Sequence, residues 1–264
     1  MDFLNITDKT FFITGVANKK SVAYFTAKVL KENGAKLILS IQKEEQRAKV
    51  AKLFPEEEIF VIDVEQEESI DRVRDNLLER KIKLDGLLHS MAFANLAEPK
   101  PFHETRWDDY KQADRISCYS LIRLSGGFKE LFREDASVVT ISISDTLATS
   151  YGYLGPIKAA LDNTVAYLAK SFSDFSQVRF NAVGAGPLKT SASAGIPGYI
   201  DNYIFAEKLT LRKQALKTQE VANTIAFLLS NTSSGINGTC IRVDAGMRCN
   251  GFDQEVVSVV ANHS

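Results

Sequence analysis

Short runs of β-branched and aromatic residues alternate along the chain with segments whose apolar positions recur every three or four residues. Buried parallel strands read as near-continuous apolar runs, and the helices that cover them as stripes of helical period. The runs predict strands at 10–14, 36–40, 59–62, 86–90, 137–143, 178–183 and 239–243. Between them, the stripes Val22/Phe25/Val29, Ile70/Val73/Leu77, Leu121/Leu124/Phe128/Leu131, Leu161/Val165/Leu168/Phe172 and Val221/Ile225/Leu228 predict helices lying on the sheet. Gly34 falls where the first helix should stop, in a left-handed position that suits a residue without Cβ. A further helix should begin near Thr218, with Glu220 in its first turn. The rhythm predicts one α/β domain over residues 1–264, a doubly wound seven-stranded parallel sheet with helices on both faces. No Pro/Gly/Ser-rich linker or internal repeat interrupts it.

Composition narrows the class without changing this picture. At 264 residues, with 45% hydrophobic and 25% charged side chains, the chain is an ordinary globular protein with material for a large core. Thirty-two Lys+Arg against 33 Asp+Glu leave a net charge of −1, without the basic footprint of a phosphate-backbone binder, so no nucleic-acid partner is expected. Cys118, Cys240 and Cys249 form no C-x-x-C pair and imply a reducing, cytoplasmic setting. The opening stretch has neither a basic region nor an apolar run of signal-peptide type, and no stretch is apolar enough to predict membrane insertion.

In open parallel sheets, ligands bind beyond the carboxyl ends of the strands. The long irregular stretches 91–105 and 184–198 both follow strand ends. The first strand runs through Gly15 into Ser21-Val22, where a tight turn and free helix N–H groups suit an anionic pyrophosphate. One glycine is not a G-x-G-x-x-G fingerprint, and Ser21 reads equally as an N-cap. After the second strand, Gln42 offers a hydrogen bond to a ribose and Lys43 a charge to a 2′-phosphate; a solvated helix start is the plain alternative. Asp63-Val64 follows the third strand, where the carboxylate either accepts from an adenine amino group or caps the next helix. After the fourth strand, His89 reads as packed, while the small Ser90 and Ala92 beside Met91 let backbone approach a nicotinamide ribose.

Taken together, Gly15-Val-Ala-Asn-Lys-Lys-Ser-Val-Ala-Tyr24, Asp63-Val64, His89-Ser-Met-Ala-Phe-Ala94, Asp114-Arg-Ile-Ser-Cys-Tyr-Ser120, Tyr151-x6-Lys158, Ala185-Gly-Pro-Leu-Lys-Thr190 and Val243-Asp244 resemble the FabI-type enoyl-acyl-carrier-protein reductases of the short-chain dehydrogenase/reductase superfamily. They span almost the whole chain in the family's order. The resemblance implies a Rossmann-type domain, a homotetramer, and NAD(P)H-dependent reduction of the double bond of an enoyl thioester, free or carried on acyl carrier protein, in fatty-acid synthesis. NADH is the favoured cofactor, with NADPH admitted through Lys43.

Tyr151 and Lys158 are the catalytic candidates that the resemblance implies. If both sit on one helix, seven positions correspond to about 700°, which puts them on one face roughly 10 Å apart along the axis. The resemblance has Tyr151 donating to the thioester oxygen and Lys158 holding the nicotinamide ribose. It adds Ala185, Gly186, Leu188 and Thr190 beneath the carboxamide, and a mobile helical flap over about 191–214. Phe93, Ala94, Ile143, Tyr153, Tyr199 and Tyr203 are the expected substrate-pocket residues, with Ile204 and Phe205 beside them.

Two features depart from the family. Its second tyrosine is replaced by Ile141 or Ile143, depending on the alignment, although Ser142 and Ser144 offer hydroxyls nearby. The basic residues for a carrier protein are absent from 196–201; Lys208, Arg212, Lys213 and Lys217 either substitute for them or form a solvated face. These changes keep open a diverged reductase acting on another enone or a ketone, and a non-catalytic nucleotide sensor. The valines of 255–261 suggest an intersubunit contact.

Overall fold

Consecutive residues of the central strands send their side chains to opposite faces of one sheet, and both faces are apolar. A computed structural model describes residues 3–95, 100–190, 193 and 198–262. Its strands are β1 (Thr10–Ile13), β2 (Lys36–Ile41), β3 (Glu58–Val61), β4 (Leu84–His89), β5 (Phe132–Ile143), β6 (Arg179–Ala185) and β7 (Cys240–Val243). They form one sheet in the order β3-β2-β1-β4-β5-β6-β7, with every pair parallel. The order reverses between β1 and β4, so the chain leaves those two strands in diverging directions and opens a crevice at their carboxyl ends. The expected strands are all present; β5 is longer than its apolar run because it starts at Phe132.

The helices are α1 (Val22–Glu32), α2 (Arg47–Ala51), α3 (Glu67–Glu79), α4 (Trp107–Asp114), α5 (Ser120–Gly127), α6 (Leu154–Phe172), α7 (Tyr199–Leu209), α8 (Thr218–Leu229) and α9 (Gln254–Asn262). On one face, Phe12, Leu87, Val138 and Phe180 pack against the expected stripes of α3, α5 and α6. Phe12 meets Phe128 edge-on, with ring centroids 5.1 Å apart. On the other face, Phe11, Ile13, Leu88, Val139 and Val183 meet α1 and α8. Each large side chain buried in these layers contributes about 1.5–3 kcal/mol.

One stripe is misread. The buried face of α1 is Val22, Ala23, Thr26, Ala27 and Leu30, while Phe25 and Val29 are only half-buried. Ala23 and Ala27 are small, so α1 can approach its neighbour α8 closely; the larger residues flank the contact. Gly34 has the expected left-handed φ of +81°. Glu220 accepts from the Lys217 N–H at 2.8 Å and caps α8. Between α4 and α5, Arg115–Tyr119 form a wider π-helical turn that buries Ile116, Ser117 and Cys118. Such turns are frequent at functional sites.

Candidate active site

The site begins where β1 hands the chain to α1. Gly15 has φ +74°, and a Cβ there would lie 1.9 Å from the Ser90 carbonyl oxygen. The turn therefore passes against the end of β4 with space for no side chain. Thr14 fixes this approach: its hydroxyl donates to Leu88 O at 2.9 Å and accepts from Ser90 N–H at 2.9 Å. Ser21 is indeed the N-cap, accepting from Tyr24 N–H at 3.2 Å. Val22 and Ala23 begin the helix, where the N–H groups have no intrahelical acceptor and face an anion favourably.

Gln42 and Lys43 are exposed just past β2, with their N–H groups held by Gln46 Oε1 at 2.9 and 3.0 Å. Asp63 is half-buried beyond β3. It does not cap α3, whose N-cap position is Gln66; its Oδ1 accepts from Glu65 N–H at 3.0 Å within the preceding turn. Val64 is buried beneath it. Ser90 and Met91 are half-buried and Ala92 is exposed at the end of β4. A tight glycine turn against β4, an open helix start and exposed polar groups past β2 fit an extended dinucleotide along the carboxyl edge of the sheet.

His89 is packed. Its Nδ1 and Nε2 lie 2.7 Å from the hydroxyls of Thr140 and Ser120, and burial lowers its pKa to about 3, so the ring is neutral. Ser117, on the π turn, accepts from Phe93 N–H at 3.0 Å and donates to Phe93 O at 3.2 Å, tying down the loop after β4.

Lys158 is buried on α6, and its Nζ donates to the Ile141 carbonyl at 2.7 Å. Burial lowers its pKa to about 8, and the Asp162 carboxylate one turn later opposes that shift. Tyr151 does not share its helix. It ends a short 3-10 turn at 149–151; Gly152 follows with φ +55°, and α6 begins only at Leu154. The left-handed residue interrupts the helical phase, so the seven-residue spacing does not set the relation of the two side chains. Tyr151 lines a cavity of about 780 Å³. Burial, followed by the nearby Tyr199, pushes its phenol up to about 12, so it stays a hydrogen-bond donor at neutral pH.

The cavity is walled by three distant parts of the chain: 100–109 beyond β4, Ser144 to Leu154 beyond β5, and Tyr199 to Leu209 on α7, with Met247 closing one side. Tyr153 and Tyr199 line it as expected, as does Phe205. Phe93, Ala94, Ile143 and Tyr203 are outside its lining. Phe93 is 42% exposed, with its backbone N–H bonded to Ser117. Tyr203 is on the buried side of α7, with Lys189 Nζ 4.4 Å from its ring centre. Ser142 and Ser144 are both buried, and of the two only Ser144 lines the cavity. Asn95, Phe102, Arg106, Asp109, Asn202 and Met247 were not anticipated. The irregular stretch 91–105 contains Asn95 and Phe102 and the expected flap contains Asn202; nothing in the sequence pointed to Met247.

After β6, Ala185, Gly186 and Leu188 are buried and Thr190 is half-buried. Of the expected flap, residues 191, 192 and 194–197 lie outside the described residues. Two members of the basic cluster are paired within the chain. Arg212 holds Glu220 at 2.5 and 2.6 Å, and Lys213 pairs with Asp253.

Residues 15–248 match the family described as Enoyl-(Acyl carrier protein) reductase. The Staphylococcus aureus protein named Enoyl-[acyl-carrier-protein] reductase [NADPH] FabI is 35% identical, over 92% of this chain and 98% of its own. The Nostoc protein named as the [NADH] FabI is 34% identical, over 94% and 100%. Among solved structures, the Enoyl-[acyl-carrier-protein] reductase (NADH) of Aquifex aeolicus superposes with a TM-score of 0.88 at 31% identity, covering 94% of this chain and 99% of that one. A sheet reversing at β1 and β4, a glycine turn pressed on Ser90 and a tyrosine-walled cavity at the same edge agree with these matches along nearly the full length. The chain belongs to the enoyl-(acyl carrier protein) reductase family.

Proposed function

We propose that the protein reduces the carbon–carbon double bond of an enoyl thioester with NADH or NADPH, working in the cytoplasm as a homotetramer on substrates tethered to acyl carrier protein. The observation that carries this reading is the Tyr151 phenol, held protonated in the wall of a large cavity at the carboxyl edge of the sheet. The cavity wall sets Leu154, Phe205, Ala206 and Leu209 of one side against a polar rim that includes Lys100, Glu104, Arg106, Asp109 and Asp145, which suits an acyl chain ending in a polar thioester.

When bound, the dihydronicotinamide supplies a hydride equivalent to the β-carbon of the substrate. The thioester oxygen then gains negative charge, and Tyr151 is the donor assigned to it. Lys158 is assigned to the nicotinamide ribose and adds positive potential under the site. Gly15, Ser21 and Val22 hold the pyrophosphate; Gln42 and Lys43 meet the adenosine ribose; Asp63 and Val64 flank the adenine. Ser90, Met91 and Ala92 border the nicotinamide ribose, and Ala185, Gly186, Leu188 and Thr190 take the carboxamide. Ser144 is the hydroxyl available where the family's inner tyrosine is missing.

The homotetramer is supported by apolar groups left outward on the described surface. Val257, Val259 and Val260 of α9 are 50–62% exposed, and Tyr167 on α6 is 77% exposed. The test of the activity is oxidation of NADH and NADPH by the purified protein with crotonyl and longer enoyl thioesters, on coenzyme A and on acyl carrier protein. Turnover of a free enone or ketone with none of these thioesters would replace the reading by a diverged reductase.

A further inference from the structure

The described flap residues already hold the groups assigned to the cofactor. Tyr199, the first residue of α7, accepts a hydrogen bond from Leu188 N–H at 2.8 Å and donates one to Leu188 O at 2.9 Å. Ser193 adds a donor to the same carbonyl at 2.8 Å and accepts from Thr190 N–H at 3.0 Å. A phenol that both accepts from an N–H and donates to a C=O on one residue presents the same pair of functions as a primary carboxamide. Leu188 is buried, so its peptide groups need partners in every state of the protein.

We infer that Tyr199 is a stand-in for the nicotinamide carboxamide: its hydroxyl occupies the Leu188 peptide and must leave when the dinucleotide binds. This rests on the proposed function, which assigns the Leu188 peptide to the carboxamide. The exchange costs little, because the two bonds that Tyr199 gives up are remade by the incoming amide. It has a consequence for the acyl site. Tyr199 also lines the cavity and lies near enough to Tyr151 to raise its pKa. Displacing its ring changes the wall beside the reacting thioester, so occupancy of the Leu188 peptide and the shape of the acyl site are coupled.

The clasp lowers the fraction of molecules ready for the cofactor, and apparent affinity falls by that fraction. Tyr199→Phe keeps the ring and removes the hydroxyl. The experiment measures dissociation constants of NADH, NADPH and ADP-ribose for the full chain and for Tyr199→Phe, by calorimetry, with thermal melting as the check on folding. ADP-ribose carries the adenosine and pyrophosphate without the carboxamide, so it does not compete with the clasp.

The expected result is roughly three- to tenfold tighter binding of the reduced dinucleotide by Tyr199→Phe, the range that one or two net hydrogen bonds allow, with ADP-ribose unchanged. Equal or weaker dinucleotide binding overturns the inference, as does equal tightening of ADP-ribose, which would mean a general change in the groove. If the unmodified chain binds none of the three ligands, the dinucleotide reading itself falls, and this inference falls with it.

Discussion

Lys158 and Ile141 are joined by a 2.7 Å hydrogen bond from the ammonium to the backbone carbonyl near the end of β5. The bond fastens α6 to the edge of the sheet where the crevice opens, and it places a buried cation below the expected nicotinamide ribose. The charge is held at a cost: burial brings the lysine pKa down to about 8, while Asp162 pulls it partly back.

The pH dependence follows from that value. Below about pH 8 Lys158 is an ammonium, and above it the charge is lost, so kcat/KM for the cofactor should fall as pH rises through about 8. Stability should move the other way. Between pH 8 and the ordinary lysine value of 10.5 the unfolded chain binds more protons than the folded one, so stability rises with pH there. Lys158→Met should lower kcat/KM and erase this alkaline limb; a limb that survives in the variant would assign it to another group.

Tyr151→Phe removes the donor and leaves the ring. An oriented donor to a developing oxyanion is worth about 2.7–4 kcal/mol, so kcat should fall by about 10²–10³ with dinucleotide affinity unchanged. Steady-state kinetics with crotonyl thioester, beside calorimetric binding, separates the two. Full turnover by this variant would take the phenol out of the mechanism.

Gly15→Ala tests the close approach to β4. The added methyl would meet the Ser90 carbonyl at 1.9 Å in a backbone conformation of positive φ. Destabilisation of roughly 2 kcal/mol or more is expected, together with weaker dinucleotide binding as the turn is forced away from Ser90. Denaturant unfolding and calorimetry read the two effects separately.

Lys43→Ala should discriminate between the nucleotides. Lys43 is exposed, so its charge is worth only about 1 kcal/mol to a 2′-phosphate, a loss of roughly fivefold for NADPH and none for NADH. Parallel titrations with the two reduced nucleotides measure the ratio, and equal loss for both would remove Lys43 from the ribose-phosphate site.

His89 should make the fold sensitive to acid. Its pKa is about 3 in the folded protein against 6.5 unfolded, so between those values the unfolded state binds the extra proton and stability falls as pH drops. His89→Gln should flatten the decline of melting temperature from pH 6.5 downwards. Melting curves of equal slope in the two proteins would place the acid sensitivity elsewhere.

Much of this was legible in the chain itself. Apolar runs bounded by turns determined the seven strands, because a strand buried on both faces must be apolar along its length. The stripes of α3, α5, α6 and α8 were readable because helical period is local. Gly34 marked a left-handed position and Gly15 a tight turn, both with positive φ in the structure, and the ordered motifs marked Tyr151 and Lys158. The tertiary structure decided how those two residues sit. Gly152 turns the chain between them, so spacing along a helix did not describe their relation. It also put Tyr199 on Leu188, buried Lys158 beneath β5 and closed the cavity with 100–109 and Met247. Periodicity reports which side of an element is apolar. Contacts between segments tens of residues apart depend on how the packed layers place their loops, and no local pattern records that.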